Sequence, residues 1–160
     1  MTVEPDRSLR TPEAVLRSFM CRLDPKEQKL IRSVRAALRK RFPTANELAY
    51  DYSSHFVIAY SPTERGIDAV VSIVARANGV QLQFTQGKQL PDPKRLLLGS
   101  GNQTRFVWVK AAKQLAHPDV QALIAAAIDH ASVPLTSTGR GKLIIQPTAA
   151  SKRAVQRPKK

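Results

Sequence analysis

The spacing of apolar residues changes period twice along this chain, and the changes mark out its elements. Val15, Leu16, Phe19, Met20 and Leu23 recur at helical intervals. Thr11-Pro12-Glu13 precedes them, with Thr at a cap position and Pro at the first helical position. Asp24-Pro25-Lys26-Glu27 opens a second helix in capping-box form. Leu30, Ile31, Val34, Ala37 and Leu38 line one face of it, basic residues fill the rest, and Pro43 stops it. From Glu47 the period shortens. Residues 47–52, 55–61, 68–76, 80–84 and 105–109 are rich in Val, Ile, Tyr and Phe and are predicted strands. Asn78-Gly79 between two apolar runs predicts a tight hairpin. The helical period returns with Val120, Leu123, Ile124, Ala127, Ile128 and Ala131, which start behind His117-Pro118-Asp119 and stop at Pro134.

Strands joined by short turns form a mostly antiparallel sheet, and helices gathered at both ends of the chain cover it. The predicted class is α+β: a two-layer sandwich with a sheet of about five strands, two N-terminal helices and one C-terminal helix. The 160 residues suit one domain. It is expected over residues 11–133, between a flexible N-terminus at 1–10 and a basic, disordered tail at 134–160. Residues 136–160 hold seven Lys and Arg and no acid, and contribute half of the +14 net charge. Leu143–Ile145 is the only sizeable apolar cluster there, too little to offset the entropy of ordering the tail.

No apolar run reaches the roughly 18 residues of a membrane helix. The polar N-terminus MTVEPDRSLR predicts no secretory signal. The single cysteine, Cys21, excludes an internal disulfide framework and fits a reducing compartment. A cytoplasmic location follows, with no membrane partner. Cys21 lies among apolar neighbours and reads as a half-buried inert thiol.

The richest candidate chemistry lies in Leu90–Arg105, LPDPKRLLLGSGNQTR. A long, specified loop between strands is a common place for function. Lys94, Arg95 and Arg105 offer positive charge, and Gly99, Ser100 and Gly101 let a ligand approach the main chain, so an anion site fits. The pattern is neither a Walker loop nor a dinucleotide fingerprint. The same residues also suit a structural loop stiffened by Pro91 and Pro93. Tyr50 and Asp51, in a group with Glu47, Tyr52, His55 and Tyr60, offer a second polar ligand site, although tyrosines are ordinary half-buried strand residues. His55, His117 and His130 lack zinc-ligand spacing, and no nucleophile has a visible base. Arg32, Arg35 and Arg39 on the second helix, with Lys152 and Arg153 in the tail, offer non-specific contact to nucleic acid.

Several segments together resemble a known family. They are Glu47-Leu48-Ala49-Tyr50-Asp51-Tyr52, Ser61-Pro62-Thr63-Glu64-Arg65, Gly79-Val80, Leu90-Pro91-Asp92-Pro93, and Leu96-Leu97-Leu98-Gly99-Ser100-Gly101 with Arg105. In this order and spacing they resemble the YdhG-like domains of unknown function, over roughly residues 12–132. The resemblance implies an α+β fold with helices flanking an antiparallel sheet. It also implies, through one branch similar to bacterial frataxin-type iron chaperones, iron binding, for which Glu47, Asp51, Glu64 and Asp68 are the available carboxylates. Scattered acids in a +14 chain are a poor attractor for cations.

The expected role is a non-enzymatic binding domain, without cofactor, for a small anionic or polar ligand or a protein partner. The ligand would sit in a cleft between sheet and helices bordered by the Leu90–Arg105 loop. Iron handling and nucleic-acid contact are the alternatives, and the oligomeric state is open.

Overall fold

Each of the three α-helices that lie wholly within the described residues starts at a proline behind a side-chain cap. In the computed structural model, which describes residues 11–149, α1 spans Pro12–Met20, α2 spans Pro25–Arg41 and α3 spans Pro118–Asp129. The segment 1–10, expected to be flexible, lies outside the described residues, as does 150–160. Thr11 Oγ1 accepts from the Ala14 amide at 3.1 Å, and Asp24 Oδ1 accepts from the Glu27 amide at 2.9 Å. His117 Nδ1 accepts from the Asp119 amide at 3.2 Å. Each acceptor satisfies an amide that a helix N-terminus otherwise leaves open.

The strands are β1 (Asn46–Asp51), β2 (His55–Ser61), β3 (Val71–Arg76), β4 (Gly79–Phe84), β5 (Arg105–Val109) and β6 (Leu143–Gln146). They form one sheet in the order β5-β4-β3-β2-β1-β6. The pairs among β1 to β5 are antiparallel, while β6 lies parallel to β1. The α+β class holds, with six strands instead of about five. The predicted strand at 68–76 begins later, at Val71, because Gly66–Asp68 closes a 3-10 turn in which the Ala69 amide bonds the Gly66 carbonyl.

The sixth strand overturns the expectation that the whole segment 134–160 is unstructured. Leu143–Ile145 docks on the open edge of β1, with Glu47 opposite Leu143 and Ala49 opposite Ile145. The Glu47 amide donates to the Lys142 carbonyl at 2.8 Å, and Asn46 Oδ1 accepts from the Lys142 amide at 3.0 Å. Gly141 permits this approach: a Cβ there would collide with the Ala45 carbonyl. A ready-made strand edge supplies the partners that the short apolar run lacks by itself.

Register sorts the sheet into two faces. Phe56, Ile58 and Tyr60 of β2, Val71, Ile73 and Ala75 of β3, and Val80, Leu82 and Phe84 of β4 point the same way. With Leu16, Phe19, Ile31, Val34, Leu38, Leu123 and Ile124 of the helices they form the main core. The opposite face carries a small second cluster of Leu48, Ala59 and Ala69, with Tyr50, Val57 and Ile144 against it.

Candidate functional site

A cavity of about 650 Å³ lies where the first half of α2 meets the β3–β4 hairpin and the end of β5. Three local features shape it. The Asn78-Gly79 turn brings β4 back beneath α2, and Gly79 adopts φ +146°. The Trp108 ring laps over Gly79, so that a Cβ there would stand 3.1–3.2 Å from it. No L side chain combines that backbone angle with that approach without strain. Gln114 then fastens the chain beyond β5. Its Oε1 accepts from the Lys110 and Ala111 amides, and its Nε2 donates to the Trp108 carbonyl at 3.2 Å.

The result is a cleft with apolar walls from Leu30, Val80, Trp108, Val109, Ala111 and Ala112. Lys26, Lys29 and Lys110 stand in its lining, opposed by one acid, Glu27, with Ser33 and Asn78 as further polar groups. All three lysines are exposed. The lining can hold the apolar body of a ligand and attract its negative group. None of the ligand residues expected from the sequence lines this cleft; of the motifs read there, the capping box of α2, through Lys26 and Glu27, and the Asn78-Gly79 turn reach it.

The Leu90–Arg105 loop stands at the other end of β5 and does not border the cleft, which corrects that expectation. Its internal bonds give the reason. The Asp92 carboxylate accepts from the Leu96 and Leu97 amides, both at 2.9 Å, and the Arg95 amide bonds the Asp92 carbonyl. Arg105 Nη1 donates to the carbonyls of Gly101 at 2.7 Å and Thr104 at 2.8 Å, so this cation closes its own loop. Leu98 exchanges both backbone bonds with Phe106 and so covers part of the β5 edge. Lys94, Arg95, Gly99, Ser100 and Gly101 are exposed on the loop surface.

Tyr50 and Asp51 do not join them. Tyr50 lies on the face away from the helices, where its ring stacks on Tyr52 with centroids 5.9 Å apart. Burial, then the neighbouring Tyr52, pushes its phenol pKa up. Asp51 points to the helical side and accepts from Arg22 Nη2 at 2.8 Å and from the Ser53 amide. The eight expected ligand residues therefore fall into three separate places.

A buried ionic network went unread in the sequence. Glu47 is 4 % exposed. It accepts from Arg35 Nε and Nη2, both at 2.9 Å, and from the Tyr60 hydroxyl at 2.8 Å. Arg35 also donates to both oxygens of Glu13, at 3.0 and 2.7 Å. Burial alone would weaken the Arg35 cation, but the bonds to Glu47 and Glu13 outweigh it and hold the charge. The Arg35 bond, ahead of the opposing desolvation, keeps the Glu13 carboxyl below its ordinary range. Burial, then the Glu47 charge, pushes the Tyr60 phenol well above 10. One signal was available. Glu47 shares the phase of Ala49, so alternation sends its carboxylate toward the helices, where it needs a cation.

This network corrects two assignments. Arg35 is engaged by two carboxylates and is not available to a phosphate backbone. Glu47 is saturated by Arg35 and Tyr60 and is not a free metal ligand. The other expected metal ligands do not meet it: Asp51 pairs with Arg22, Asp68 accepts from Thr63 Oγ1 at 2.8 Å, and Glu64 is exposed. Among the described residues no group of three or more His, Cys, Asp or Glu could hold a metal ion. Arg32 is exposed on α2, and Arg39 is half in solvent, 3.7 Å from Glu47. Lys152 and Arg153 lie outside the described residues. Cys21 is exposed, not half-buried, because α1 ends one residue before it.

No family model matches the chain, and no curated protein or solved structure shows a significant match to it.

Proposed function

We propose that this chain is a non-enzymatic binding domain whose cleft takes a small anionic ligand with an apolar body, such as an aryl or acyl carboxylate or phosphate ester. The observation that carries this reading is the lining of the 650 Å³ cleft: apolar walls with three lysines against a single acid. A ligand carboxylate or phosphate would meet Lys29 and Lys110, while its hydrocarbon part lies against Leu30, Val80 and Trp108. None of these side chains supplies a nucleophile with an adjacent base, so the reading assigns binding and no reaction. The same reading places the chain among the YdhG-like domains, on the ordered segments from Glu47 to Arg105, and in the cytoplasm, on its single exposed thiol.

Trp108 is the only tryptophan, so its fluorescence reports on the cleft directly. Titration with a panel of aromatic and acyl carboxylates and phosphates, followed by Trp108 emission and thermal stability, tests the reading. A ligand present at about a hundred times its Kd adds about 2.7 kcal/mol of stability. Lys29→Glu with Lys110→Glu is expected to weaken binding and leave the unliganded melting temperature close to that of the parent. Absence of any emission change or stabilisation at millimolar ligand across the panel overturns it.

A further inference from the structure

The sheet has a second face, opposite the helices, that the cleft reaches only at Trp108. Register places Tyr50, His55, Val57, Arg76, Gln81 and Trp108 among its outward positions. No outward position on the six described strands carries an acid. Among the described residues, no helical side chain joins the apolar cluster on this side.

Two features belong together at one end of it. Tyr50, Tyr52 and His55 form one stack, with Tyr52 and His55 centroids 5.1 Å apart and Tyr52 still 43 % exposed. A pocket of about 190 Å³ at the same end reaches in from the helical side, lined by Phe19, Phe56 and Ala75 of the main core as well as by Arg22, Ser53, Ser54, His55 and Arg76; on the outward face itself, Arg76 stands opposite His55 in the register. Arg22 arrives there already bonded to Asp51, which leaves Arg76 as the chief cation; its guanidinium is held by a long bond of 3.5 Å to Gln81. An aromatic stack with the Arg76 guanidinium opposite His55 and the Ser54 hydroxyl beside it matches the two halves of a nucleotide, base and phosphate.

We propose that this face binds single-stranded nucleic acid. A base joins the Tyr50–Tyr52–His55 stack and its phosphate sits against Arg76 and Ser54. The strand then runs across the sheet toward Trp108. Four inter-strand steps separate the strand of Tyr50 from that of Trp108, about 19 Å, which is room for about two or three bases. A duplex does not fit, because its bases are already stacked on each other. Charge favours a polyanion over a second copy, since both copies would bring Arg76 and a +14 net charge to the contact.

The test uses the full chain and fluorescence anisotropy with a fluorescein-labelled single-stranded oligouridine, its deoxy counterpart and a duplex of equal length. Single strands are expected to bind more tightly than the duplex. Tyr52→Ala is expected to weaken binding about tenfold or more with little change in salt dependence, while Tyr52→Phe retains it. Arg76→Gln, a second and independent variant, is expected to lower both affinity and salt slope by about one phosphate contact. Neither variant should alter the Trp108 response to a cleft ligand, so this proposal and the cleft reading fail separately. Equal binding of duplex and single strand overturns the proposal. So does unchanged affinity in both Tyr52→Ala and Arg76→Gln. A wild-type dimer in solution that Tyr52→Ala dissolves also overturns it and assigns the face to a second copy.

Discussion

Arg35 touches two carboxylates from two other elements, and this fixes both what it does and what it cannot do. It ties α1, through Glu13, and β1, through Glu47, to α2. Removing it strands Glu47 inside the fold with only Tyr60 and a distant Arg39. Breaking one side of a buried pair costs ~3–5 kcal/mol, whereas replacing both partners by apolar groups is often neutral. Arg35→Ala is therefore expected to lose about that much in urea denaturation, and Arg35→Met with Glu47→Leu to recover most of it. A loss under ~1 kcal/mol for Arg35→Ala would show the pair to behave like an exposed one. The same network sets the pH response. The Glu13 pKa is depressed below its ordinary 4.5 by Arg35, so its contribution is present above that value and fades as pH falls through the folded one. The Tyr60 pKa is raised above its ordinary 10.0, first by burial and then by the Glu47 charge, so its contribution is present below 10 and is lost as pH rises toward the folded value. Melting temperature against pH should show a plateau between these limbs, and Arg35→Met should flatten the acid one.

Elements with local punctuation were legible in the sequence, and elements made by distant pairing were not. Thr11, Asp24 and His117 each announce a helix from within one turn of it, and Asn78-Gly79 announces its hairpin. Strand β6 has no such signal, because a parallel pairing about a hundred residues away along the chain needs no tight turn beside it. The cleft was hidden for the same reason: α2, the hairpin and the Gln114 anchor come from separate stretches. The Leu90–Arg105 loop misled in the opposite direction, since Arg105 looks like a ligand-binding charge until its bonds to the Gly101 and Thr104 carbonyls are seen. Gly141 is the hinge on which β6 depends. Gly141→Ala is expected to push β6 off β1 and to speed hydrogen exchange at residues 143–146 and at the Glu47 amide, which donates to Lys142. Protection equal to that of the parent chain would show that the Ala45 carbonyl can give way.

At the scale of the whole molecule, the question is how the +14 charge divides between fold and tail, and the sixth strand moves the dividing line. Deleting residues 136–160 would remove seven cations but also β6, uncovering the β1 edge to pairing with other chains. Weaker binding after that deletion would mix electrostatics with misfolding. Deleting residues 150–160 removes five cations and no acid and leaves β6 in place. The two truncations should therefore differ in kind. The longer one is expected to lower the melting temperature and to promote association, while the shorter one leaves the melting temperature close to that of the parent chain. Single-strand binding should respond to the shorter deletion only through salt. Each tail cation that pairs with a phosphate contributes about 0.7 to the steepness of log K against log salt concentration. Base stacking on Tyr52 involves no counterion release, so the affinities of the truncated and intact chains should converge as salt rises. Parallel curves that never converge would place salt-independent contacts in the tail, and an unchanged melting temperature after the longer deletion would show that β6 adds nothing to the fold.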